Sequence, residues 1–275
     1  MKTLKTDLFI GINKPFTVFH ASDTHFTFAD ERDNERKNQL ALNRKKSFME
    51  NEENAEYIIN TVSEKSAPLI HTGDLIDFVS EKNLDKAQEF IKSVDCFFSA
   101  GNHEFSLYVG EAKEDAAYRN QSLEKVQKCF SNDIRCSSRI INDVNFIAID
   151  NSYYNVEEYQ LEFIKKEEEK GLPIILCVHT PLYCEEFYNF SLEDGGVPVY
   201  LMAVPVELMK EYSEHRFLQQ KADEITFKAY KHIVESEVIK AVLCGHIHYD
   251  FDAYINNKIR QISTGISTLR EIYIY

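Results

Sequence analysis

Asp, His and Asn side chains recur in five short blocks of this chain: Asp23-Thr24-His25, Gly73-Asp74-Leu75-Ile76-Asp77, Gly101-Asn102-His103-Glu104, His179-Thr180-Pro181 and Gly245-His246-Ile247-His248. Imidazole nitrogen combined with carboxylate and amide oxygen suits borderline divalent ions such as Mn, Fe, Zn, Co or Ni. A carboxylate can bridge two such ions, and an ion pair of that kind can acidify a water while polarising a phosphoryl group. The six cysteines, at 96, 129, 136, 177, 184 and 244, include no CxxC pair. They read as reduced core cysteines and argue against a structural zinc knuckle.

The blocks need elements to carry them. Apolar runs at 7–12 and 16–20, separated by Asn13-Lys14-Pro15, predict a hairpin leading to Asp23. The charged stretch 30–66 predicts one long helix with a thin apolar stripe of Leu40, Phe48, Ile58, Ile59 and Val62, stopped by Ala67-Pro68. Leu69-Ile70-His71 predicts a brief strand running into Gly73-Asp74. Helical patterns follow at 84–93, 112–129, 157–170, 206–219 and 221–236. Strands are expected at 94–99, twice within 139–149 around Asn142-Asp143, at 173–178 and 239–244, and in a run over 251–275 that turns at Asn256-Asn257. Segment 182–205 is aromatic, with Gly195-Gly196 and two prolines, and shows no period. It reads as a long substrate-side loop.

Each metal-capable block thus follows a predicted strand, where open α/β sheets place their sites. The alternation points to a layered α/β architecture, helices outside two packed sheets, in one domain over 1–275 with a helical insertion at about 30–66.

In these blocks the chain resembles the calcineurin-like metallophosphoesterases, whose signature runs DxH, GDxxD, GNH(E/D), a histidine after a strand, and GHxH. One block alone is a modest signal; all five, in order across 23–248, are highly specific. The resemblance implies a four-layer αββα β sandwich with metals at one edge. It implies a first metal on Asp23, His25, Asp74 and His248, and a second on Asp74, Asn102, His179 and His246. It also implies in-line attack on phosphorus by a hydroxide bridging two divalent or mixed-valence ions (Mn, Fe or Zn). His103 would contact the phosphate, stabilising the transition state or protonating the leaving oxygen. A small phosphodiester is slightly preferred as substrate. The alternatives are a phosphomonoesterase, either a nucleotidase or a protein phosphatase, and a non-catalytic metal-containing protein-binding scaffold.

Other residues receive plainer readings. Asp77 would orient a ligand, and Glu104 would make a local structural contact. The glycines at 73, 101 and 245 permit tight turns. His20 and His71 read as core or supporting histidines. Tyr108, Tyr183, Phe187, Tyr188 and Phe190 read either as a substrate lining or as structural packing, and Arg119 as a phosphate contact or, more commonly for such a residue, an exposed helical arginine.

The formal charge of -14, from 45 acidic against 31 basic residues, argues against extended nucleic-acid or anionic-membrane surfaces. The N-terminal residues lack the apolar run of a signal peptide, and no stretch approaches the roughly 18 apolar residues of a membrane span. The expectation is a cytoplasmic enzyme acting on a small phosphate ester, and nothing in the sequence sets an oligomeric state.

Overall fold

Eleven strands build two sheets in this computed structural model, which describes residues 1–110 and 115–275. The strands are β1 (Lys2–Leu8), β2 (Phe16–Ala21), β3 (Leu69–His71), β4 (Cys96–Phe98), β5 (Cys136–Ile141), β6 (Val144–Ile149), β7 (Ile174–Cys177), β8 (Ile239–Cys244), β9 (Phe251–Ile255), β10 (Ile259–Ser263) and β11 (Thr268–Ile274). One sheet has the order β1-β11-β2-β3-β4 and the other β5-β6-β7-β8-β10-β9. Both are mixed. β11 runs parallel to β1 and antiparallel to β2, while β6, β7, β8 and β10 are mutually parallel.

The period-2 alternation of strand side chains decides the layers. Val18, Ile70, Phe97, Phe146, Ile175, Leu243 and Ile272 point inward and pack sheet on sheet. Their neighbours Phe19, Leu69 and Phe98 face the helices α2 (Asn51–Lys65) and α3 (Glu81–Ser93). On the opposite side Ile174, Leu176 and Val242 face α6 (Glu158–Glu168), α7 (Glu185–Gly195) and α9 (Glu224–Glu235). The result is two mixed sheets flanked by helices, an αββα sandwich. Among the described residues, no helix is long and apolar enough to cross a membrane.

Several local expectations are revised. The apolar runs before Asp23 do not form a hairpin, because β11 lies between β1 and β2. The connecting residues instead wrap the end of β11, where Ile10 and Gly11 N–H both donate to the Tyr275 carbonyl. The stretch 30–66 is two helices, α1 (Glu35–Arg44) and α2. The Asn34 side chain caps α1, and the break at 45–50 turns Phe48 inward. Segment 182–205 contains α7, whose Phe187 is buried in the core beneath β9. Helix 112–129 resolves into α4 (Ala116–Asn120) and α5 (Leu123–Gln127), and residues 112–114 lie outside the described residues. Only part of 206–219 is α-helical, as α8 (Glu214–Gln220).

Arg119, on α4, is neither an exposed helical residue nor a phosphate ligand. It is 4% exposed and reaches Asp150 at 3.2 Å and Glu157 at 2.7 Å. Burial pushes the Asp150 carboxyl up, and Arg119 is the charge that pulls it back. Replacing Arg119 with Met leaves Asp150 buried without its cation. At neutral pH this is expected to cost about 3 kcal/mol in urea unfolding, with partial recovery in the Arg119→Met/Asp150→Asn pair.

A candidate two-metal centre

The C-terminal ends of β2, β3, β4, β7 and β8 converge on one edge of the sandwich, and backbone hydrogen bonds tie their loops together. Asp23 N–H donates to the Gly73 carbonyl, Thr72 N–H to Ala21, and Gly245 N–H to His179. His246 N–H reaches across the sheets to Asp23 Oδ2 at 3.0 Å. Asp23, His25, Asp74, His246 and His248 all have positive φ, between 52° and 68°. Such left-handed backbone is disfavoured for residues with a Cβ and collects at sites where geometry matters more than local stability. Here it aims consecutive side chains at a single point. Small neighbours are obligatory: a Cβ on Gly245 would lie 1.9 Å from Ser22 Oγ and 2.4 Å from Asp23 Oδ2.

Three groups result among the described residues, each with its ligand-type atoms within 4.8 Å of one another: Asp23 with His25 and His248, His25 with Asp74 and His103, and Asp74 with His179 and His246. Asp74 also joins them, since its Oδ2 is 3.1 Å from His179 Nε2 and 3.8 Å from His25 Nε2. The Asn102 amide oxygen is buried on the loop after β4, where the next N–H, of His103, donates to Asp74 Oδ1 at 2.9 Å. Asp23, His25, Asp74 and His179 are almost wholly shielded from solvent.

Three of the four candidate imidazole ligands are anchored on their outer face. His25 Nδ1 donates to Asp77 at 3.0 Å, and His179 Nδ1 to the Thr72 carbonyl at 2.7 Å. His246 Nε2 meets the Tyr154 hydroxyl at 2.9 Å. The remaining nitrogens face inward: His25 Nε2 lies 3.2 Å from His248 Nε2, and His179 Nε2 lies 3.1 Å from His246 Nδ1. Metal-ligating histidines are held in this manner, one nitrogen fixed by an outer partner and the other turned to the ion. The buried Asp23 Oδ1 accepts no hydrogen bond among the described residues. An orphaned carboxylate oxygen beside inward-facing imidazoles is the donor set that borderline divalent cations fit.

The potential is strongly negative. Burial opposes protonation of His25, yet Asp23, Asp77 and Asp74 overcome it and raise the ring to about 10. His179 is raised to about 9 against the same desolvation, chiefly by Asp74. His246, with more imidazole and less carboxylate around it, is lowered by burial to about 3. Burial also opposes the charge on Asp77, but Arg44 and His25 hold its carboxyl well below the usual range.

His103 stands at the rim with 17% of its side chain exposed. Its Nδ1 lies 2.6 Å from the Asp77 carbonyl, which can only accept, so Nδ1 carries the proton and Nε2 is the atom left for other contacts. His20 and His71 are fully buried and are held by Thr72, Thr264 and Thr24 hydroxyls.

Several supporting residues escape a reading of the sequence. Arg44 forks onto Asp77 at 2.7 and 2.8 Å, Phe48 stacks on His25 at 4.2 Å, and Tyr154 anchors His246. Only Tyr154 carries a local signal, since it follows the polar turn Asp150-Asn151 at the end of strand β6. The anticipated aromatic lining is also different. Phe187 is wholly buried, Tyr188 is buried with its hydroxyl on the Leu208 carbonyl, and Tyr183 packs edge-on against Tyr188. Phe190 stacks on Phe251, and Tyr108 lies beneath Arg36. In the cleft beside His246 and His248 the aromatics are instead Tyr200 and Tyr249.

The profile of the calcineurin-like phosphoesterases matches residues 16–250. No curated protein sequence matches the chain. Among solved structures, a dimetal phosphatase from Danio rerio superposes over 92% of this chain and 88% of its own, at 12% identity and a TM-score of 0.50. A purple acid phosphatase from yellow lupin (Lupinus luteus) seeds superposes over 92% of this chain but 44% of its own length, at 14% identity and a TM-score of 0.50. At such identities the likeness is one of fold.

Glu104, fully buried, accepts N–H groups from Asp74 at 2.7 Å, Leu75 at 2.8 Å, Ile76 at 3.2 Å and Gly101 at 2.7 Å. Burial and the nearby Asp74 carboxylate push its proton affinity up to about 8, against the pull of those donors. In Glu104→Gln an amide NH2 must face backbone donors. The expected loss is about 1–3 kcal/mol in denaturant unfolding of the ion-free protein, with a low-energy alternative packing in Glu104→Gln the result that contradicts it.

Proposed function

The chain belongs to the calcineurin-like phosphoesterase family, and on that premise we propose that it is a two-metal hydrolase acting on a small phosphodiester. The observation that carries this reading is the chain of carboxylate–imidazole groups in which Asp74 is common to the one with His25 and the one with His179 and His246, and His25 leads on to Asp23 and His248. In this reading Asp23, His25, Asp74 and His248 hold one cation, and Asp74, Asn102, His179 and His246 hold the other. Ions bound there, with manganese, iron or zinc suited to the donor set, supply Lewis acidity that acidifies water and neutralises phosphoryl oxygens.

The remaining work belongs to side chains. His103, with Nδ1–H anchored on the Asp77 carbonyl, presents Nε2 to the phosphate, where it donates to a nonbridging or leaving oxygen. Asp77 steadies both His25 and His103, and Arg44 in turn fixes Asp77 from α1. This chain reaches from the solvent-side helix to the reacting phosphate and keeps two imidazoles in defined orientations.

A cleft of about 230 Å³ lined by Tyr200, Tyr249, His246 and His248 opens on the candidate ligands and offers a place for an organic group of the ester.

On manganese-reconstituted protein, an aryl phosphodiester is expected to be hydrolysed faster than the matching monoester, and the reverse order refutes the diester preference. Asp74→Asn should lower the content of both metals, measured by elemental analysis, and full occupancy in that variant rules out a bridging role. His103→Ala is expected to keep its metal while kcat falls by about 10²–10⁴.

A further inference from the structure

The cleft on the His246–His248 side has features that the metal chemistry does not use. It lies between the C-terminal end of α7, the segment 198–200 and the turn from β8 to β9. Tyr200 and Tyr249 are 36% and 45% exposed there, although both carry large apolar rings. Tyr200 meets His246 edge-on at 5.9 Å, so whatever contacts Tyr200 is next to a candidate ligand ring. Tyr249 is braced by Phe190 at 5.8 Å, and Phe190 is itself stacked on Phe251 at 4.2 Å. Both rings are therefore held by packing and remain partly exposed, with the Arg216 guanidinium 5.4 Å over the Tyr200 ring.

The polar groups in the cleft are also distinctive. Its lining includes Asp194 and no lysine or arginine. The Asp194 carboxylate lines the cleft beside Tyr249, raises that phenol's hold on its proton and has lone pairs for a donor. Ser191 lines the same space, and its Oγ is shielded from solvent with no hydrogen-bond partner among the described residues. A second anionic group would meet Asp194 unfavourably, whereas an N–H donor would be accepted. The volume, about 230 Å³, is below the roughly 300–1,000 Å³ of sites for drug-sized ligands, so it suits one ring system.

We propose that this cleft is a subsite for a flat, amino-bearing heteroaromatic ester group, such as an aminopurine nucleoside, packed against Tyr200 and Tyr249 with its N–H donated to Asp194. The substrate is then a nucleoside phosphodiester. This assignment rests on the phosphoesterase reading for its link to chemistry, but the binding itself can be read without turnover. Aromatic rings supply stacking that tolerates any base, and the carboxylate supplies discrimination in favour of a donor.

The test is calorimetric binding of adenosine, purine riboside and ribose to the manganese-loaded protein. Purine riboside retains the ring and lacks the amino group; ribose lacks both. Adenosine is expected to bind about tenfold more tightly than purine riboside, and ribose to show no measurable heat. Tyr200→Ala should weaken adenosine about tenfold or more. Asp194→Ala should remove the preference for adenosine over purine riboside. Both residues are exposed, and the comparison of the three ligands on the unaltered protein requires no variant. Equal binding of adenosine and ribose, or unchanged adenosine affinity in Tyr200→Ala, overturns the subsite. Adenosine binding without hydrolysis of any phosphate ester leaves the subsite standing and overturns the phosphoesterase reading alone. Ester hydrolysis without adenosine binding does the opposite.

Discussion

One buried carboxylate organises the loops of the candidate centre. Glu104 takes N–H donors from Asp74, Leu75 and Ile76 after β3 and from Gly101 after β4, so that two separate turns share one acceptor. Without it these donors would lie unsatisfied in a region closed to water, which is costly for backbone groups. With it, the turn after β3 can hold Asp74 at positive φ and direct its carboxylate away from Glu104. The close approach also explains the small residue at 101, where a Cβ would sit 2.2 Å from Asp74 Oδ1. Ligand geometry at this centre is thus a consequence of backbone satisfaction a few ångströms behind it.

The fold treats its buried charges in two ways. Away from the site each is neutralised locally: Asp150 faces Arg119, and Arg270 is enclosed by Thr6, Ser263, Thr264 and Asp250. At the site the carboxylates of Asp23 and Asp74 are grouped instead, and Arg44 compensates only Asp77, the one acid that supports imidazoles from behind. Concentrated negative potential in a low-dielectric pocket is destabilising by itself and strongly attractive to cations. The structure therefore sets aside stability at one edge of the sandwich for a binding function there.

The two sheets contribute unequally to what surrounds that edge. The first sheet brings the broken insertion α1–α2, which lays Phe48 against His25 and Asn51 under the His25 carbonyl. The second brings α7 and the following segment, which place Tyr200 near His246. Each flank of the centre is thereby shaped by an excursion from a different sheet. That arrangement lets the chemistry stay constant while either flank varies in what it accommodates.

The candidate ligand residues stand out in the sequence because their signal is local. Each block combines a strand, a small residue and a metal-capable side chain within a few positions, so Asp23, Asp74, Asn102, His179 and His246 can be picked out without knowing which strands pair. The layered α/β class was legible for the same reason, through apolar periods of 2 and 3.6. What the sequence could not convey was any partnership between distant segments. Nothing in residues 7–20 shows that β11, more than 250 positions later, will lie between β1 and β2. Nothing in 30–66 shows that the helix must break for Arg44 and Phe48 to reach Asp77 and His25. Segment 182–205 has an obscured helical period because α7 buries Phe187 while leaving Leu192 exposed at its end. Sequence alone determined which side chains are of a type that could hold a cation; tertiary structure decided which of them meet and what lies beside them, because long-range pairing depends on the complementarity of whole surfaces rather than on the order of neighbouring residues.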